Sequence, residues 1–177
     1  DKSDLIVSAI APPAAAQSGQ NVIVQWTEKN DGPIPVSGDW STNLKVTRRS
    51  TGVVLVNRNI RFVGNSLPAN ASVNRTNSFD LPDGIVGTGD FDILISVDAL
   101  NDIQEQNTSG NAEANNARAS SFNASIGNYP EISVSNIQHP SNVQLSVPFD
   151  VSWTVTNTGT AALTKPTTDR VYLSLDG

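Results

Sequence analysis

The chain has 177 residues, of which 37% are hydrophobic, and a net charge of −6 at pH 7. This apolar content is enough for a packed core, whereas the acidic balance excludes a nucleic-acid partner, because phosphate binding needs a basic face. Cysteine and methionine are absent, so disulfides and thiolate metal sites are excluded. No apolar run approaches the length of a membrane span, and no membrane insertion is expected.

Short apolar–polar alternations separated by Gly, Pro and Asn predict strands along the chain. No helical period competes with them. The sequence therefore predicts an all-β fold, an immunoglobulin-like antiparallel β-sandwich. In chain order the predicted strands are residues 4–10, the strand around Trp26, residues 40–49, the short pair 53–56 and 60–63, and residues 72–81, 91–98 and 117–126. Residues 64–68 and 101–116 are predicted as loops.

An internal repeat has a constant offset of 127 positions. It relates Trp26 to Trp153, Asn30 to Asn157 and Gly32 to Gly159. Residues 131–137 match 4–10 at this offset, and residues 171–174 match 44–47. A match without gaps over three predicted strands indicates duplication.

The repeat predicts the domain organisation of the chain. Residues 1–126 form a complete sandwich, 127–130 a linker, and 131–177 the first three strands of a second, truncated unit. Three strands would leave an apolar sheet face and unpaired edges in water. We therefore expect residues 131–177 to be completed by another chain, a swapped strand set or a separate fragment of the same parent protein.

The acidic loop is the best candidate for a functional site. Its hard oxygen donors suit calcium, which takes six to eight oxygen ligands from loops. The spacing is not that of an EF-hand, and the alternative stays open that these side chains accept local backbone hydrogen bonds in Asx-turns. The candidate ligands are Asp98, Asn101, Asp102, Glu105 and Asn107.

The three tryptophans receive different interpretations. Trp26 and Trp153 lie on the apolar side of their strands and are predicted core residues. Trp40 is predicted at the entry of a strand, where it either packs against the end of the sandwich or offers a ring for sugar stacking.

Catalysis finds little support in the residues. His139 is the only histidine, and it precedes Pro140 in a predicted turn. A nucleophile needs a base held against it. The chain is therefore predicted not to be an enzyme.

Several segments resemble the cell-adhesion-related domain found in bacteria, CARDB. The opening Asp4-Leu5-Ile6-Val7-Ser8 carries the resemblance, as do Trp153 to Thr160 and Thr168 to Gly177, and so does the acidic loop from Ile95 to Asn107. It covers one full unit and the beginning of a second. The first unit departs from the pattern at Trp40 to Asn43, where the second unit has the Thr168-Asp169-Arg170 motif.

This resemblance implies a non-catalytic structural or adhesive module of a large secreted or cell-surface bacterial protein. The alternative is an accessory domain that holds carbohydrate or protein substrate for a secreted hydrolase. Expected partners are neighbouring repeats of the same protein and a surface glycan or protein. No cofactor other than calcium is suggested.

Overall fold

Alternating burial along the chain produces the strands. In β3 (Asn21–Asn30) the side chains of Val22, Val24 and Trp26 are buried, while those between them face outward. This is the period-2 pattern of a strand with one face on a core. The same parity also buries Glu28 and Asn30, so two polar side chains enter the core from this strand.

The computed structural model describes residues 2–174. The chain divides into two units, Asp1–Gly127 and Asn128–Gly177. None of the helices in the described part has the length and apolar character needed to cross a membrane. The other strands of the first unit are β1 (Leu5–Ala11), β2 (Ala16–Gln17), β4 (Val36–Arg48), β5 (Val54–Leu67), β6 (Ser72–Asp80), β7 (Gly89–Ser96) and β8 (Ala117–Ser125), with short 3₁₀ turns at Gly84–Gly87 and Ala112–Ala114.

The strands of the first unit form two sheets. One sheet has the order β1-β3-β6 and the other the order β2-β8-β7-β4-β5. Apolar side chains from both sheets share one buried cluster that includes Trp26, Leu44 and Phe91. The predicted all-β sandwich is confirmed, with one local addition: the two-residue β2 pairs with β8 in parallel.

The predicted short pair at residues 53–56 and 60–63 is wrong, as is the loop predicted for 64–68. Both segments belong to the single strand β5, which pairs with β4 from Val54 opposite Thr47 to Leu67 opposite Val36. The polar interval that suggested a break lies on an edge strand, where outward side chains can be polar without cost. There Asn43 donates hydrogen bonds to Asn57 and Asn59 at 3.0 and 2.8 Å.

The second unit contains one antiparallel ribbon, β9 (Ile132–Gln138) and β10 (Ser152–Asn157). The third strand predicted at 171–174 does not form, since these residues are outside any strand. Their counterparts in β4 pair with β5 on one side and β7 on the other. In the described part of the second unit the only sheet is the β9–β10 ribbon, and it does not extend to residues 171–173.

The two ribbons repeat the same register. Leu5 lies opposite Asn30 in the first, and Ile132 lies opposite Asn157 in the second. Each ribbon also contains one register shift, between Val7 and Ala9 in the first and between Ser152 and Thr154 in the second.

The asparagine at the end of each ribbon makes the same contacts. Asn30 Oδ1 accepts hydrogen bonds from Asp4 and Gly32 N–H at 3.2 and 3.1 Å. Asn157 Oδ1 accepts them from Glu131 and Gly159 N–H, both at 3.0 Å. Residues related by the 127-residue offset therefore share hydrogen bonds as well as amino-acid identity.

The repeated glycine is explained by close backbone packing. A Cβ on Gly32 would lie 2.6 Å from the Lys2 carbonyl oxygen, and one on Gly159 would lie 2.3 Å from that of Tyr129. Only a residue without Cβ lets the two chain segments approach this closely.

Candidate functional site

The loop after β7 is held by its first carboxylate. Asp98 is buried and has a φ of +46°, a conformation that Asp tolerates better than most residues. Its carboxylate accepts hydrogen bonds from Asp102 N–H at 2.8 Å and Ile103 N–H at 3.0 Å. Across the loop, Val97 N–H donates to the Asn116 carbonyl at 3.0 Å, which brings the two ends together.

This folding gathers three carboxylates. Oxygen atoms of Asp98, Glu105 and Glu113 all lie within 4.8 Å of one another, with the first two side chains buried and the third exposed. Calcium–oxygen distances of about 2.3–2.6 Å place opposite ligands about 5 Å apart. The cluster therefore has the dimensions of a single-cation site, and we name it the carboxylate cluster.

Glu105 is the most constrained member of the carboxylate cluster. The Leu5 backbone N–H donates to its Oε1 through a very short hydrogen bond, and Asn116 Nδ2 donates to its Oε2 at 2.7 Å. Its own N–H donates to Glu113 Oε1 at 2.8 Å. This side chain thus ties the loop to the start of β1.

Burial raises the pKa of Glu105 to about 7, and the neighbouring carboxylates Asp98 and Glu113 add repulsion, while the hydrogen bonds from Asn116 and Leu5 act in the opposite direction. Burial also raises the pKa of Asp98. Without a cation, the cluster therefore holds a proton near neutral pH, because buried, closely spaced carboxylates disfavour full ionisation.

A buried amide oxygen also belongs to this site. Asn116 is 7% exposed, and its Oδ1 has no hydrogen-bond donor among the described residues. Its Nδ2 donates to Glu105 Oε2 at 2.7 Å, so the Asn116 side chain contacts the carboxylate cluster. An unsatisfied buried carbonyl is costly, and a cation would provide the missing partner.

The structure selects among the candidate ligands predicted from the sequence. Asp98 and Glu105 come together, whereas the carboxylate of Asp102 does not belong to the cluster; the predicted roles of Asn101 and Asn107 as ligands stay predictions. Asp102 pairs with Arg61 at 3.8 Å, and Asn107 Nδ2 donates to Asp4 Oδ2 at 3.0 Å.

Glu113 and Asn116 were missed by the sequence prediction. Their signal was their position at the far end of the same acidic and amide-rich loop, which the backbone closes onto Asp98. The Asx-turn alternative also has a real counterpart, since Asp98 accepts two backbone N–H groups.

Trp40 is not an exposed ring. It lies within β4, which begins four residues earlier, and it has 0% exposure. Its indole N–H donates to Glu28 Oε2 at 3.1 Å. The prediction at a strand entry is therefore wrong, and the burial fits packing; sugar stacking would need a ring face in solvent.

Glu28 is the centre of a buried polar network that the sequence analysis missed. From its own sheet it accepts hydrogen bonds from Trp26 Nε1 at 3.0 Å and Arg75 Nε at 3.1 Å. From the opposite sheet it accepts them from Trp40 Nε1 and Thr42 Oγ1. We call these five residues the Glu28 network; it joins the two sheets through the core.

In the second ribbon a different residue accepts the hydrogen bond from the tryptophan indole N–H. Trp153 Nε1 donates to Asp169 Oδ2 at 2.9 Å. Asp169 is 127 positions after Thr42, and Val155 occupies the position of Glu28. The carboxylate that accepts the tryptophan N–H therefore comes from different sequence positions in the two units, and in the second unit it belongs to the Asp-Arg motif that the first unit lacks.

His139 is exposed, and its Nδ1 lies 3.0 Å from the Pro140 carbonyl oxygen. The structure shows no nucleophile hydrogen-bonded to this ring among the described residues. It therefore lacks the geometry of a catalytic base.

Comparisons with known proteins find one family model and several similar solved structures. The CARDB family model matches residues 2–120. A crystal structure of the CARDB domain of PF1109 from Pyrococcus furiosus, in complex with di-metal ions, is 23% identical, with a TM-score of 0.48; the match covers 71% of this chain and 96% of that one.

Two further likenesses are more limited. A solution structure of the same Pyrococcus furiosus domain is 21% identical over 71% of this chain and 97% of that one, with a TM-score of 0.49. An alkylpurine DNA glycosylase from Pseudomonas fluorescens is 15% identical over 70% of this chain and 30% of that one, with a TM-score of 0.40. No curated protein matches the sequence. The family model spans more than half of the chain, and the protein belongs to the CARDB family.

Proposed function

We propose that the chain is a non-catalytic structural module of adhesion type, part of a secreted or surface bacterial protein. One observation carries this proposal: all buried carboxylates among the described residues hold structure together. Glu28 joins the two sheets, Asp98 and Glu105 fold the long loop, and Asp4 accepts hydrogen bonds from Asn107 and Asn115 of that loop. A buried ionisable group occupied in this way is not free for acid–base chemistry.

The repeated ribbon supports a role as a spacer. Sandwich units with their own cores can be added in series without altering their neighbours. We propose that residues 1–126 form one such unit and residues 131–177 the beginning of the next, with neighbouring repeats as its first partners.

The spacer role and the accessory role in a hydrolase predict different behaviour towards glycans. In native gels that contain soluble cellulose, xylan, chitin or mannan derivatives, a spacer should migrate as in a gel without polysaccharide. The two tryptophans of the first unit, Trp26 and Trp40, are buried, so neither offers a ring face for sugar stacking. Retardation by one of these polysaccharides, with a non-binding protein unaffected in the same gel, would favour the accessory role and contradict the spacer.

We further propose that the carboxylate cluster of this unit binds calcium, with Asp98, Glu105 and Glu113 as ligands and the Asn116 carbonyl as a fourth. The donors are all oxygen, the chain has no cysteine, and the loop sequence contains no histidine. Such a donor set suits a hard cation. The irregular loop and the protein-rich ligand set favour calcium over magnesium, which prefers octahedral geometry with several waters.

Calcium would relieve two costs of the metal-free site. It neutralises carboxylates that otherwise repel one another, and it gives the Asn116 carbonyl a partner. Because the Glu105 pKa is raised from 4.5 to about 7, the metal-free fold retains a proton that the unfolded chain has already lost. Its stability therefore falls as the pH rises from about 4.5 through 7, and calcium should recover this loss.

Calcium is expected to raise the Tm of the first unit at pH 8 by about 5–10 °C when its concentration is roughly 100-fold above Kd. At pH 5.5 the shift should be much smaller, because calcium must then displace the Glu105 proton. Differential scanning calorimetry of the full chain, with and without a chelator at each pH, measures both shifts.

Two matched variants of the same loop test the calcium assignment. Glu113→Gln keeps the Oε1 that accepts the Glu105 N–H but lowers the ligand charge, and it should abolish most of the shift. Asp102→Asn removes a carboxylate outside the cluster and should leave the shift intact. Equal calcium-induced Tm shifts for the two variants, or no calcium-induced shift for the unaltered chain, would refute the site.

A further inference from the structure

The second unit carries an open apolar groove of about 580 Å³. Several of its side chains are strongly exposed for their type: Leu173 is 79% and Val134 is 56% exposed. Water does not favour a concave apolar surface of this kind, and such surfaces mark contact sites. We call it the open face; six of its lining residues are Val134, Phe149, Val151, Trp153, Val171 and Leu173.

The first unit contains the same face in covered form. Each of these six residues has a counterpart 127 positions earlier, and all six counterparts are at most 5% exposed. The counterparts are Val7, Val22, Val24, Trp26, Leu44 and Val46. The first unit thus shows that this surface is buried when other strands of the same unit cover it.

The cover in the first unit is made by strands. The six counterparts share one buried cluster with Phe91, Ile93 and Ile95 of β7 and with Phe122 of β8. β7 also supplies the backbone partner: Ile95 lies opposite Leu44, and Ile93 lies opposite Val46. β7 and β8 are themselves an antiparallel pair, with Phe91 opposite and stacked on Phe122 at 5.2 Å between ring centroids.

We propose that the open face binds an antiparallel β-hairpin of the β7–β8 type, which pairs one strand with residues 171–173 and places alternate apolar side chains in the groove. The chemistry of this partner is defined by the repeat: an aromatic or branched residue at every second position and polar residues between them. Docking converts residues 171–173 into a strand, because it supplies the ladder that they lack. This inference rests on the structural equivalence of the two ribbons and does not depend on calcium binding.

A synthetic peptide of residues 89–125 provides the probe, added to the full chain in excess. Hydrogen exchange, followed by mass spectrometry, should show amides of residues 171–173 slowed by about tenfold or more once they join a ladder. A control peptide with Ile93→Asp and Ile95→Asp keeps its length and most of its sequence but cannot enter the groove. It should give no protection.

The reverse substitution tests the face itself. Val171→Asp in the full chain should abolish protection by the unaltered peptide, while the exchange of β3 amides in the first unit stays unchanged. Three results would overturn the proposal: no protection by the unaltered peptide, equal protection by the control peptide, or a dimer of the chain alone that already protects residues 171–173. The last result would assign the open face to a second copy of the chain.

Discussion

Replacing Glu28 with alanine is expected to lower the free energy of unfolding of the first unit by about 3–5 kcal/mol. The substitution leaves Arg75, whose side chain is 14% exposed, without its carboxylate. It also removes the acceptor of two buried indole N–H groups. Urea denaturation of the full chain, followed by near-ultraviolet circular dichroism, measures the loss.

Two control variants separate charge from hydrogen bonding. Glu28→Gln keeps an acceptor oxygen of similar position and should cost less than alanine, because fewer donors lose their partner. Asp31→Ala removes the exposed pair with Lys29 in the loop that follows the same strand, and should cost at most about 1 kcal/mol. A Glu28→Ala loss no larger than that of Asp31→Ala would show that the Glu28 network contributes little to stability.

The strands of the first unit were predictable because their burial follows a local rule. In β3 and β7, alternate residues enter the core and most of them are apolar, so a few neighbouring residues determine which face is buried. The same rule also predicts that Glu28 is buried, because it lies two residues after Trp26 and therefore on the same face of β3. Its four donors come from three strands up to 47 residues apart, and pairings at that distance are not visible in a local pattern.

The errors have a common physical origin in long-range partners. β5 was divided because its polar middle looks like a turn, yet β4 extends beside it and keeps it extended. Residues 171–173 have the alternation of a strand, but among the described residues of the second unit they do not join a sheet. In the loop, Asp98 and Glu105 were foreseen, whereas Glu113 enters the cluster only after the backbone joins Val97 to Asn116. Strand formation and ligand selection both depended on contacts that the alternation does not encode.

Trp40→Ala is the second substitution expected to have a large effect, with a loss of about 3–5 kcal/mol in the free energy of unfolding. The ring has 0% exposure, so truncation leaves a cavity between the sheets, and Glu28 loses one of its donors. Trp40→Phe retains most of the ring volume and loses the N–H, so it should cost about 1–2 kcal/mol. Urea titrations of both variants test this order.

The losses in the free energy of unfolding caused by Trp40→Phe and Glu28→Gln should not be additive. Once Glu28 is absent, the Trp40 N–H has no carboxylate to bind, so Trp40→Phe should cost less in the Glu28→Gln background than in the unaltered chain. A coupling energy of about 0.5–3 kcal/mol is expected for residues that share a buried network. Complete additivity in this double-mutant cycle would mean that Trp40 acts only through its volume. The tie between the sheets would then be the packing of the apolar core and not the carboxylate at its centre.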